Sequence, residues 1–262
     1  SYTQVSGGDN TQPFFNYLNR QINSPFIEED TGVPAVSASV VLTDTADFVI
    51  DDVYLTDGDL CKFLRFHVSS MPTLGGNATI AVKDEAGQIM WSWHIWAYPF
   101  ALSTFTHNNK YNILDANLGW VKDSADSKKG TSPYYQWGRT DPMLRSGTSA
   151  AVGSFNITGC ATSVAATIQN PNVFNTQETT NYNWWTNDGT AVNFYNYWDA
   201  SQTKTGFGHK SIVKTVYDPS PVGFHIPCGA TFTGFSASNG GTWENGYTWD
   251  NNFFQALSLK HI

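Results

Sequence analysis

Charge is what this chain has least of. Lysine, arginine, aspartate and glutamate make up only 14% of its 262 residues, and the formal net charge is −8. That balance excludes the basic footprint a nucleic-acid binder needs to displace counterions from phosphates. Cysteine is scarce as well: Cys61, Cys160 and Cys228 show no CxxC spacing and have no neighbouring histidine pair, which removes the basis for a structural zinc site. An odd number leaves at least one thiol unpaired. A Cys160–Cys228 disulfide in an oxidising compartment and free thiols buried in a core both remain open at this level. No apolar run is long enough to span a bilayer and no signal peptide is visible, so the chain reads as a mature or trimmed piece with no direct membrane span. HExxH, GxSxG and P-loop signatures are missing. The histidines (His67, His94, His107, His209, His225 and His261) are scattered and read as structural. The expectation is a non-enzymatic protein without metal or cofactor.

Aromatic residues, by contrast, reach 15%. They concentrate in Gln88-Ile89-Met90-Trp91-Ser92-Trp93-His94-Ile95-Trp96, which reads as a strand. Ile89, Trp91, Trp93 and Ile95 point one way; Met90, Ser92, His94 and Trp96 point the other. Both faces carry apolar bulk, so both need cover. The preceding Asn77 to Lys83 alternates, and Asp84-Glu85-Ala86-Gly87 between the two supplies a glycine for a positive φ, which together predict a hairpin. Further strands are expected at Val36–Leu42, Phe48–Ile50, Asp52–Leu55 and Lys62–Val68, with a turn at Thr56-Asp57-Gly58-Asp59. Phe14–Leu18 reads as one or two helical turns, ended by Asn23-Ser24-Pro25. This spacing suggests an antiparallel sandwich.

Proline in Ala97-Tyr98-Pro99-Phe100-Ala101-Leu102-Ser103 interrupts the ladder and marks a boundary. Beyond it the strands shorten, and stretches rich in Asn, Thr, Ser and Gly intervene, with exposed loops expected at Ser124–Thr131 and Ser146–Gly153 and a turn at Ser238–Gly241. Within this half, Asn181 to Asp188 and Asn193 to Asp199 combine aromatic rings with amides. Sugar C–H faces stack on such rings while amides and carboxylates pair with hydroxyls, so Trp184, Trp185, Asn187, Asp188, Tyr195, Tyr197 and Trp198 are the expected ligand surface. Core packing is the competing reading for each ring.

Adjacent carboxylates at Asp51-Asp52 and Glu28-Glu29-Asp30 give no catalytic pair, because neighbours on a strand point to opposite faces and neighbours on a loop are merely solvated. Asp44-Thr45-Ala46 and Asp123-Ser124-Ala125 match the short Asp-Ser/Thr-small pattern used for O-glycosylation in Bacteroidota.

Gly76 to Trp96 resembles a segment common in surface lipoproteins and fimbrillin-type proteins of Bacteroidota, in which a KDxxG turn leads into a W-S-W-H-I-W strand. Upstream, Phe14–Asn19 and Ile22–Ile27 look like the entry to that domain. Downstream, Asn117-Leu118-Gly119-Trp120, Tyr134-Tyr135-Gln136-Trp137-Gly138-Arg139-Thr140-Asp141-Pro142, Ile168-Gln169-Asn170-Pro171 and Val216 to Pro227 look like the Fibrobacter-type major paralogous domain, whose fold is C-type-lectin-like.

The resemblance implies a mostly β chain: a sandwich-like fimbrillin-type domain over 1–100, then a C-type-lectin-like α+β domain over 101–262 that is either truncated at its C-terminus or departs from the family pattern there. It also implies an exported protein at the outer-membrane surface or on a pilus, acting as an adhesin toward a glycan or a host or bacterial surface protein, or as a subunit that joins other pilus subunits by strand addition. A phage or secreted receptor-binding module is a further alternative on the same fold. Tyr134–Gly138 and Val222–Pro227 are assigned to fold maintenance, with Gly138 and Gly223 as tight backbone positions. Trp185-Thr186-Asn187-Asp188 and Trp249-Asp250-Asn251-Asn252 are similar to the calcium motif of sugar-binding C-type lectins, but the companion loop is missing, since Gln169-Asn170-Pro171-Asn172 has the wrong order. Calcium needs six to eight oxygens, so no metal is expected. The family's Cys-Pro is Ser220-Pro221 here.

Overall fold

The computed structural model describes residues 14–59, 61–107, 109–122, 130–136, 138–144, 156–159, 161–176, 197–200, 212–227, 231, 247–249 and 252–254. The fold is mostly β, built chiefly from antiparallel pairs. Strands β1 (Ser37–Thr43), β4 (Gly76–Lys83) and β5 (Ile89–Ala97) form a three-stranded sheet in the order β1-β4-β5. Strands β2 (Val49–Thr56) and β3 (Phe63–Ser70) pair as a separate ribbon. Shorter pairs follow: β6 (Thr104–His107) with β7 (Tyr111–Leu114), and β8 (Val121–Lys122) with β9 (Gly130–Thr131). β10 (Asn156–Thr158) and β11 (Val173–Asn175) run parallel across helix α2 (Val164–Gln169), and β12 (Tyr247–Trp249) pairs with β13 (Asn252–Phe254). Among the described residues no helix is long and apolar enough to cross a membrane.

The expected hairpin is present. Gly87 takes φ 79°, its N–H closes on Asp84 O at 3.0 Å, and the Asp84 carboxylate accepts from Gln88 N at 2.8 Å. In register, Ala78, Ile80 and Val82 stand opposite Ile95, Trp93 and Trp91, while Asn77, Thr79 and Ala81 stand opposite Trp96, His94 and Ser92. The sheet therefore has two covered faces, as the tryptophan strand requires, and β4 is buried along nearly its whole length. The ribbon's Ile50 and Val68 pack with Phe48, Ala78 and Ile95, and its Leu55 and Leu64 join the larger core.

Two local readings differ from the sequence expectation. Phe48–Leu55 makes one strand rather than two, because the break at Asp51-Asp52 is absorbed by a register shift between Asp51 and Tyr54. Phe14–Leu18 is not helical: Phe15 bridges Gln21 and the Asn16 side chain caps the turn between them, accepting from Leu18 N and Arg20 N. Among the described residues the helix that follows is α1 (Ile27–Thr31), closed by Gly32 at φ 68°.

Packing runs across the expected boundary at 97–103. One core joins Phe14, Tyr17, Val82 and Met90 with Val164, Ile168 and Tyr217. Polar contacts tie the same parts together: the Tyr217 hydroxyl donates to Phe15 O and accepts from Phe15 N, and Gln169 Nε2 donates to Tyr17 O at 2.9 Å.

Candidate functional site

Of the expected ligand surface, Trp184, Trp185, Asn187, Asp188 and Tyr195 lie outside the described residues. Tyr197 and Trp198 are core residues, 0% and 2% exposed, and this corrects their assignment to a surface. Tyr197 packs against Phe14 and Tyr217 at ring distances of 5.8 and 5.2 Å, and Trp198 Nε1 donates to Arg139 O at 3.0 Å. The reason is geometric. Gly138 runs at φ 88° so close to Tyr197 that a Cβ would sit 2.9 Å from its ring, so backbone closes over this tyrosine. Gly223 also holds a positive φ, at 87°.

The second face of β5 carries a buried polar seam. His94 Nε2 lies 2.8 Å from Asn77 Oδ1, and Asn77 is oriented because its amide donates to Asp44 Oδ2 at 2.7 Å and Gly119 O at 2.9 Å. An amide oxygen only accepts, so His94 carries its proton on Nε2 and presents Nδ1 to the Tyr135 hydroxyl at 3.2 Å. Burial pushes its pKa down to about 3, and the ring is neutral. Ser92 donates to Asp141 Oδ2 at 2.8 Å, as does Thr140 at 2.7 Å, and burial raises the Asp141 pKa despite these donors and nearby Arg139.

Arg139 is itself buried. Its Nη2 donates to Asn170 O at 3.0 Å and its Nη1 to Gln136 Oε1 at 2.9 Å and to Val173 O, so the cation gathers carbonyls at the C-terminal end of α2, where the helix dipole favours it. Desolvation lowers its pKa to about 10. A serine, a histidine and an aspartate thus lie on one seam, yet Ser92 donates to the aspartate and both His94 nitrogens are engaged. The imidazole does not face the serine, and these contacts orient buried groups within the fold.

The ribbon's outer face has the opposite character. Asp51, Tyr54 and Thr56 stand opposite His67, Arg65 and Phe63, and Tyr54 and Phe63 are 50% and 51% exposed. Sequence alternation sends Asp51 and Asp52 to opposite faces; the structure instead gathers them. Asp52 adopts φ 49° at the bulge, and ligand atoms of Asp51, Asp52 and His67 lie within 4.8 Å of one another. His67 Nδ1 is 2.9 Å from Asp51 Oδ1, and this contact holds the Asp51 carboxyl below its usual range. Three ligand atoms, one of them nitrogen, fall short of a calcium site. Beside the bulge opens a cleft of about 690 Å³ lined by Asp52, Tyr54, Leu64, Arg65, Phe66 and His67.

A third aromatic group, Trp96, Tyr98, Phe100 and Trp120, closes the end of the sheet. Its rings meet at tilted or edge-on angles, Trp96 Nε1 donates to Trp120 O at 2.9 Å, and the Lys122 ammonium lies 5.2 Å from the Phe100 ring centre. Phe100, at the rim of this group, stays 52% exposed.

No family model, curated protein or solved structure matches this chain. The sequence reading placed strands on both sides of the Thr56–Asp59 turn but gave the outer face they form no part in recognition. The signal was present in the polar aromatic set Tyr54, Phe63, Arg65 and His67, and in an Asp-Asp pair that tolerates positive φ. Cys61 is a free thiol, and Cys160 and Cys228 lie outside the described residues. Asp44 of the first glycosylation-like tripeptide is committed to Asn77, accepting from its N–H at 2.7 Å, and the second tripeptide lies outside the described residues.

Proposed function

We propose that this chain is a non-enzymatic adhesin of the cell surface or a pilus, exported, with a sandwich-like first part and a C-type-lectin-like second part. The carrying observation is the outer face of the β2–β3 ribbon, where Tyr54 and Phe63 stand half exposed beside Arg65, His67 and two aspartates. Aromatic rings interleaved with both charge signs suit recognition of a glycan or of a protein surface. The test is adhesion of beads coated with the purified chain to intact cells. A Tyr54→Ala/Phe63→Ala variant with unchanged melting adheres poorly if the ribbon is the contact; equal adhesion assigns the contact elsewhere.

A second reading, a structural pilus subunit, is favoured by the sheet edges. Among the described residues β1 and β5 each hydrogen-bond as strands to β4 alone. Each leaves an edge that an added strand can extend. Concentration-dependent polymerisation in sedimentation experiments supports this role, and a monomer at all concentrations opposes it.

A further inference from the structure

The cleft beside the Asp52 bulge says more about the ligand than its location does. Its lining carries one uncommitted group of each sign. Arg65 spends only Nε, on Thr56 Oγ1 at 3.1 Å, so among the described residues its two terminal nitrogens have no acceptor. The Asp52 carboxylate and the Tyr54 hydroxyl have no partner among the described residues either, whereas Asp51 is held by His67. Asp52 and Arg65 form no ion pair with each other. Leu64, Phe66 and the Tyr54 ring supply the apolar part of the lining.

From this we infer that the cleft binds a neutral pyranose residue of a glycan. The inference rests on the adhesin reading and narrows its ligand. An anionic sugar would meet the free Asp52 carboxylate, and a cationic amino sugar would meet the Arg65 guanidinium; each would leave one charge opposed and the other unused. A sugar hydroxyl both donates and accepts, so one uncharged ring satisfies the guanidinium fork and the carboxylate together, while its C–H face covers the Tyr54 ring. A volume of about 690 Å³ accommodates such a ring with a neighbouring residue of the chain. The positive φ of Asp52 is what turns this carboxylate toward the cleft side of the bulge rather than leaving it to strand alternation.

The experiment is an array of neutral, uronic or sialylated, and free-amino glycans probed with the wild-type chain and with Tyr54→Ser, Arg65→Gln and Asp52→Asn variants whose melting is unchanged. Asparagine tolerates the left-handed backbone at position 52. Neutral glycans are expected to bind, and each variant should weaken that binding roughly tenfold. Three results overturn the inference: no neutral glycan bound by wild type, binding confined to charged glycans, or neutral binding undiminished in all three variants. Bead adhesion to cells, measured in parallel, separates the two readings, since adhesion that persists without glycan binding leaves the adhesin role standing and removes the sugar.

Discussion

The buried seam along β5 and the outer face of the β2–β3 ribbon treat polar residues in opposite ways. Beneath β5, His94, Asn77, Asp44, Asp141 and Arg139 are desolvated, and their groups are oriented by neighbours. On the outer face of the β2–β3 ribbon, Asp52, Arg65 and Tyr54 stand in solvent with donors and acceptors to spare. Polarity in the seam specifies one packing, because any misplacement strands a buried donor or charge. Polarity on the ribbon costs the fold almost nothing and is free for recognition.

The largest test of this contrast is Arg139→Met. Removing the guanidinium takes the donor from the carbonyls of Asn170 and Val173 and leaves Gln136 Oε1 with the Asn175 N–H alone, and destabilisation of about 3–5 kcal/mol is expected in chemical denaturation. Loss below 1 kcal/mol would mean that the seam does not organise α2.

Next comes pH. The unfolded His94 imidazole takes up a proton below its ordinary pKa of 6.5, which the folded ring refuses until about 3. The unfolded state therefore binds more protons between these values, and stability falls on acidification by about 1.4 kcal/mol per pH unit within that window. Asp44 and Asp141, whose pKa values burial raises, act with the opposite sign near the carboxylate range. The readout is accordingly the difference between wild type and His94→Gln, whose amide can replace both ring contacts. A variant with the same slope between pH 6.5 and 5 would show that His94 is not the group responsible.

A smaller effect is expected at Gly130, where a Cβ would fall 2.3 Å from the Trp120 ring and from Val121 O. Gly130→Ala should cost about 1–3 kcal/mol through forced displacement of the indole and of the paired β8 backbone, visible as a lowered melting temperature and altered tryptophan fluorescence. The smallest effect sharpens the comparison from the other side. Tyr54→Ser and Phe63→Ser should each change stability by no more than about 0.5 kcal/mol. A large loss there would make the ribbon's face part of the core.

What could be read in advance follows the same division. Strand alternation exposed β1, β4, β5 and the β4–β5 turn, because period and glycine placement are local properties. The two-sided cover of Trp91, Trp93, Met90 and Ser92 followed from counting apolar bulk on each face. The fate of Tyr197 and Trp198 did not, because an aromatic run looks alike whether the chain folds over it or away from it, and only the close passage of Gly138 decides. The Asp51–Asp52 convergence escaped for a related reason: one residue at positive φ reverses the alternation on which the reading relied. Seam partners such as Asn77 and Gly119 are separated by 42 positions, and no local pattern announces them.

The bond between the Tyr217 hydroxyl and the Phe15 backbone spans 202 positions. Phe14 and Tyr17 bury their rings with Tyr217 and Ile168, so the first aromatic residues of the core have no complete resting place until residue 217 has been made. On a ribosome the β4–β5 hairpin can form early, but the larger core waits for Tyr217 to be made. Closing so wide a loop favours slow folding, with the tryptophan strand in contact with solvent or chaperones during the interval.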